Sequence, residues 1–139
     1  ESAVHVAFID LDGFKSINDQ YGHDAGDRFL IEIAKALVSG MRNGDFVARY
    51  GGDEFVIFGA ATATAHDTSR AAIRKRLEHL TTGQFMIGTV TLNYPGASVG
   101  VVTSGADERD CEAVLARADE AMYQTKRLRR AGVKRENFT

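Results

Sequence analysis

Apolar and polar positions along the chain switch between a period near two and a period near 3.6, and the switches mark its elements. Val4 to Ile9 is an apolar run broken only by His5, the pattern of a strand covered on both faces. It stops at Asp10-Leu11-Asp12-Gly13. From Asp24 onward Ala25, Phe29, Leu30, Ile33, Ala34, Leu37 and Val38 recur at helical spacing up to Gly40, so a helix is expected with Asp24 as its N-cap. Phe46 to Tyr50 and Phe55 to Phe58 are β-rich runs around Gly51-Gly52-Asp53-Glu54. They read as a hairpin whose glycines permit positive φ at the turn and whose tip carries two acids. After an Ala/Thr-rich connection, Ile73, Leu77 and Leu80 share one face of a helix expected over Thr68 to Leu80. Phe85 to Tyr94 and Ser98 to Thr103 predict a second strand pair about the turn residues Asn93-Tyr94-Pro95-Gly96. Cys111, Val114, Leu115, Ala118, Met122 and Thr125 then repeat every three to four positions, so Asp110 to Arg130 closes the chain as an amphipathic helix with Cys111 in its core stripe. The order β-α-β-β-α-β-β-α is an α+β fold, with helices packed on a mostly antiparallel sheet.

Composition narrows the class without naming the chemistry. The 139 residues, 44% of them apolar, form one domain long enough to bury roughly two-thirds of its unfolded surface without disulfides or a structural metal. Lys and Arg number 17 against 19 Asp and Glu. That balance leaves no broad cationic surface for a nucleic-acid polymer. No apolar run approaches the roughly 18 residues that span a bilayer, and Glu1-Ser2-Ala3 has none of the regions of a signal peptide. A single Cys fits a reducing compartment, so a cytoplasmic location is expected, with membrane anchoring of the parent protein left open. His5, His66 and His79 lack metal-ligand spacing and read as ordinary surface or core residues.

The candidate chemistry gathers where strands end. Asp10 and Asp12 terminate the first strand, and Asp53 with Glu54 occupies the hairpin tip. If these strand ends are neighbours in one sheet, the carboxylates converge and suit a hard divalent cation that shares its shell with phosphate oxygens. Gly13-Phe14-Lys15 places backbone N–H groups and an ammonium directly after the first acidic pair. Lys126 and Arg130 stand at i and i+4 on one helix face.

With these residues in view, Arg49-Tyr50-Gly51-Gly52-Asp53-Glu54-Phe55 resembles the signature of the GGDEF-domain diguanylate cyclases. The segments Phe8 to Asp19, Tyr21 to Asp27, Ser98 to Val101 and Ala118 to Lys126 resemble the same family in the same order. The resemblance implies a palm-like fold of the nucleotidyl-cyclase type and the condensation of two GTP molecules into cyclic di-GMP and pyrophosphate. It implies that Asp10, the Leu11 carbonyl and Asp53 coordinate Mg²⁺, with Mn²⁺ as a substitute. Asp53 is favoured as the group that helps deprotonate the ribose 3′-hydroxyl, with Glu54 as a further metal or base residue. Lys15 would offset charge on the triphosphate, and Lys126 with Arg130 would hold its outer phosphates.

By the same resemblance Asp27 and Asn18 read guanine, with His23 close to the base or ribose; a carboxylate accepts from the N1–H and amino edge, and an amide donates to the base's acceptors. Arg42-Asn43-Gly44-Asp45 lies at the family spacing of an RxxD inhibitory site. There Arg42 would meet phosphate or guanine of cyclic di-GMP and Asp45 would accept from the base. Arg70 and Arg74 are both candidates for a second contact. Catalysis implies an antiparallel homodimer in which each subunit presents one GTP. Two departures stand out: the chain starts directly before the first strand, without the family's usual preceding helix, and Arg129 occupies a position where glycine is common. The alternative is a non-catalytic receptor domain that binds cyclic di-GMP or GTP for signal transduction, against which the intact acidic motif argues.

Overall fold

The computed structural model describes residues 4–42, 44–60, 70–105 and 108–137. Their elements run β1 (Val4–Asp10), α1 (Phe14–Tyr21), α2 (His23–Ser39), β2 (Phe46–Gly51), β3 (Glu54–Ala60), α3 (Arg70–Leu80), β4 (Thr82–Ile87), β5 (Val90–Pro95), β6 (Ser98–Ser104) and α4 (Cys111–Asn137). Four strands form one antiparallel sheet in the order β2-β3-β1-β6, and β4 pairs with β5 in a separate ribbon.

The unbroken apolar run of β1 follows from its central place. Successive strand side chains point to opposite faces, and both faces of β1 are covered. Ala7 and Ile9 join Phe29, Ile33 and Leu37 of α2 and Leu77 of α3, whereas Val6 and Phe8 meet Val114, Ala118 and Met122 of α4. The α+β class expected from the element order, helices packed on a mostly antiparallel sheet, is therefore the one observed.

The local expectations that fail do so for identifiable reasons. α1 escaped the periodicity because Ile17 is its one buried residue. α2 begins at His23 with Gly22 at its cap, so Asp24 lies inside the first turn instead of capping it. Neither Gly51 nor Gly52 takes positive φ. What Gly51 supplies is space, since a Cβ there would come 2.3 Å from Glu54 Oε1. Phe85 to Tyr94 is not one strand: Gly88, at φ 85°, divides it into β4 and β5. β6 pairs with β1 and not with the ribbon, because the four buried residues Ser98 to Val101 need cover on both faces and only the main sheet provides it. Cys111 is exposed instead of lying in the core; it is the first residue of α4, where Asp110 Oδ1 accepts from Glu112 N at 3.1 Å and Ala113 N at 3.3 Å. The expected start of α3 at Thr68, and His66, lie outside the described residues.

Candidate functional site

Strand register assembles the acidic cluster. Asp10 ends β1 opposite Glu54 of β3 on one side and Ser98 of β6 on the other. The Leu11 N–H donates to the Asp53 carbonyl at 3.0 Å, tying the loop after β1 to the β2–β3 turn. Arg49 braces that turn from below, donating from Nε to the Gly51 carbonyl at 3.1 Å and from Nη2 to the Gly52 carbonyl at 2.9 Å. Asp10, Asp53 and Glu54 consequently bring one carboxylate oxygen each within 4.8 Å of one another.

Two carboxylates of this group, Asp10 and Glu54, resist ionisation. Burial, foremost, lifts the Asp10 pKa against the pull of Lys126, and the charge on Asp53 adds to the lift. Glu54 is raised for the same first reason and then by Asp10 and Asp53. Lys126 Nζ stands 3.3 Å from Asp10 Oδ1 and 3.5 Å from Asp12 Oδ1. That ammonium is the ion-pair partner of the buried Asp10 Oδ1, which no other donor reaches. A buried carboxylate oxygen with a single cationic partner, beside two further carboxylates, has room for a hard cation. The Leu11 carbonyl accepts from Phe14 N at 3.2 Å and keeps a second lone pair.

Asp12 falls outside this group and faces a different set of partners. Ser98 Oγ donates to Asp12 Oδ2, Arg129 Nε lies 3.6 Å from the same oxygen, and the Tyr94 hydroxyl donates to the Asp12 carbonyl at 2.7 Å. Burial drives the Tyr94 pKa far up, so this donor stays protonated.

Around the carboxylates opens a cleft of about 510 Å³ walled by Asp10 to Ser16, Asp53, Pro95, Lys126, Arg129 and Arg130. The N-terminus of α1, entered through Gly13 at φ 78°, contributes backbone donors to one wall. Lys15 stands at the rim, its side chain 89% exposed and paired with Asp19 at 3.1 Å; so exposed a pair is easily exchanged for an anion. The cleft thus collects Asp10, Leu11, Lys15, Asp53, Lys126 and Arg130.

Asn18, His23 and Asp27 are not in the cleft wall. Asn18 sits on α1 against α2, where its buried Oδ1 has no hydrogen-bond partner. A Cβ on Gly26 would fall 1.8 Å from that oxygen, so the glycine is what leaves the amide room. Asp27 follows it, exposed, four residues beyond the equally exposed His23 and on the same helix face. Asp27 borders a second groove, shared with Leu30, Val47, Arg49 and Phe55.

Arg42 and Asp45 close their turn on themselves. Arg42 N donates to Asp45 Oδ2 at 2.9 Å and Asp45 N to the Arg42 carbonyl at 3.0 Å. Both line a recess of about 40 Å³ with His5, Gly59 and Arg76, too small to enclose a base, so any nucleotide would lie across its mouth. Neither Arg70 nor Arg74 lines the recess; Arg74 is paired with Glu78 at 3.0 Å. Arg76 does, with a buried Nε that has no hydrogen-bond partner. Its place three residues after the core-facing Ile73 was the available signal.

The family described as diguanylate cyclase, GGDEF domain, matches residues 1–131 of the chain. The diguanylate cyclase DgcP of Escherichia coli is 41% identical over 124 residues, which cover 89% of this chain and 36% of that protein. The cyclic di-GMP phosphodiesterase PdeR of Escherichia coli is 36% identical over 126 residues, 88% of this chain and 18% of that protein. The chain therefore spans about a third or less of these relatives. A crystal structure of a sensory box/GGDEF family protein from Caulobacter crescentus superimposes with a TM-score of 0.80 at 37% identity, covering 91% of this chain and 80% of that one.

Proposed function

This chain belongs to the GGDEF-domain family of diguanylate cyclases, and from that premise we propose that it condenses two GTP molecules into cyclic di-GMP. The observation that carries the reading is the convergence of Asp10, Asp53 and Glu54 on one point beneath a cleft rimmed by Lys15, Lys126 and Arg130. Asp10, Asp53 and the Leu11 carbonyl would hold Mg²⁺ or Mn²⁺, which when bound supplies Lewis-acid polarisation of the phosphates. The remaining work falls to the side chains. Lys126 exchanges Asp10 and Asp12 for the outer phosphates together with Arg130, and Lys15 covers the triphosphate from the rim. Asp53 and Glu54 stand side by side as acceptors for the 3′-hydroxyl proton. The raised proton affinity of Glu54 makes it a stronger proton acceptor than an ordinary carboxylate. Each 3′-oxygen attacks the α-phosphorus of the opposite GTP, and each attack releases one pyrophosphate. Since one cleft presents one GTP, two chains meet antiparallel to align the pair.

Incubation with GTP and Mg²⁺, followed by mass analysis of the nucleotides, tests this directly: cyclic di-GMP is expected, and GTP left intact overturns it. Arg42, Asp45 and Arg76 are proposed to bind the product and restrain the reaction. A receptor role is the second reading, and the recess lined by Arg42, Asp45 and Arg76 is the observation behind it. It predicts cyclic di-GMP binding that is lost in Arg42→Ala with no turnover in the parent chain.

Two further outcomes follow from the geometry. Mg²⁺ at tenfold its Kd should raise the melting temperature by about 3–6 °C, the equivalent of roughly 1.4 kcal/mol. The gain should shrink as the pH falls, because the raised pKa values of Asp10 and Glu54 keep their protons to higher pH than usual and protons compete with the cation; thermal melts at pH 8 and pH 5 check it. Gly26→Ala gains about 1 kcal/mol of helix propensity yet displaces the Asn18 amide. It should keep the melting temperature or raise it while weakening GTP binding about tenfold, as read by calorimetry.

A further inference from the structure

We propose that Arg129 is a positioning residue for the phosphate side of the cleft, a role that rests on reading the cleft as a GTP site. Where the resemblance leads one to expect glycine, the chain carries an arginine, and nearly all of that cation's donors are engaged. Nη1 donates to the Ala97 carbonyl at 2.7 Å, and Nη2 to the carbonyls of Gly96 at 2.9 Å and Pro95 at 3.2 Å. Nε lies 3.6 Å from Asp12 Oδ2. A guanidinium has five N–H donors in a fixed fork. Three serve the carbonyls of one turn and a fourth faces a carboxylate, so Arg129 is committed to protein partners and not free to clamp a phosphate.

Those partners belong to separate walls of the cleft. Asp12 is in the loop after β1, Pro95 to Ala97 form the passage from the β4–β5 ribbon into β6, and Arg129 is itself on α4. One side chain therefore touches all three, and the turn carbonyls hold its guanidinium beside Asp12. It also sets how tightly Lys126 is held. Lys126 lies three residues earlier on α4 and approaches Asp12 Oδ1, while Arg129 approaches Asp12 Oδ2. The two cations share one carboxylate through opposite oxygens. Without Arg129 the whole charge of Asp12 falls to Lys126, which then leaves for a triphosphate less readily. Arg129 acts on the nucleotide through Asp12 and Lys126 without touching it.

The test uses a GTP analogue with a methylene bridge between the α- and β-phosphates, which binds but cannot release pyrophosphate, together with Mg²⁺. Arg129→Ala should weaken its binding about tenfold, and with GTP as substrate should raise KM by about the same factor while kcat changes less than twofold. Arg129→Lys, which keeps a cation beside Asp12 but gives up the turn carbonyls, should recover most of the affinity. In an Asp12→Asn background the same Arg129→Ala change should cost less than twofold, since no charge is left to share. If Arg129→Ala does not fold, Arg129→Gln carries the comparison. Unchanged affinity in Arg129→Ala, a loss undiminished in the Asp12→Asn background, or no recovery with lysine overturns the proposal. A parent chain that binds no analogue overturns instead the GTP reading on which it rests.

Discussion

Asp53→Asn is expected to lower the rate of cyclic di-GMP formation by about 10³-fold or more, the scale of losing a positioned proton acceptor, with a further loss from a missing metal ligand. The fold should survive the change. Asp53 lies in the turn between β2 and β3, and its contribution to the backbone network is a carbonyl that accepts from Leu11 N, which asparagine retains. Removing one of three carboxylates within 4.8 Å also relieves repulsion that burial intensifies at Asp10 and Glu54. The metal-free variant should therefore melt at the same temperature as the parent or slightly higher, and gain less on addition of Mg²⁺. Turnover measured beside a melting curve separates the two effects. An active Asp53→Asn would show that the cluster does not perform the chemistry, and an inactive one that has lost its cooperative melt would trace the loss to folding.

The acidic cluster was legible because two independent strand ends carried paired acids, and a central strand must have its neighbours' ends at the same edge of the sheet. Asp10 opposite Glu54 is the physical form of that expectation. The ribbon was not legible in the same way. A run such as Phe85 to Tyr94 reads as one strand until Gly88 takes positive φ and folds it back, and no local pattern tells Ser98 to pair with Asp10 instead of with β5. Short amphipathic segments were equally opaque: α1 buries only Ile17, too little for a period. Partners of long cations escaped entirely. Arg76 and Arg129 reach sites distant in sequence through flexible stems, so their roles depend on which backbone happens to lie within reach. Cys111 shows the converse error, an apolar residue at helical spacing that stands exposed at the first position of α4.

The largest effect on stability is expected at Gly100, a position whose role is spatial. Gly100 lies in β6 opposite Phe8 of β1, on the face where α4 packs. A Cβ there would stand 2.0 Å from Met122 N, 2.5 Å from Ala121 C and 2.7 Å from Ala118 O. All three are helix backbone, so no rotamer change can clear them, and α4 must move outward as a body. That movement pulls Val114, Ala118 and Met122 from Val6, Phe8 and Val56, opening the second core along its length. Overpacking in a core costs about 1–3 kcal/mol where side chains can yield; against rigid backbone Gly100→Ala should cost about 3 kcal/mol or more, a large share of the roughly 5–15 kcal/mol available to a domain. At this chain length the melting temperature should fall by about 10 °C or more. Lys126, Arg129 and Arg130 ride on the same helix, so the phosphate side of the cleft would shift with it and GTP affinity should fall even in the fraction that remains folded. Denaturant unfolding of Gly100→Ala beside the parent decides the matter: a midpoint unchanged within error would mean that α4 does not approach β6 as closely as the geometry requires.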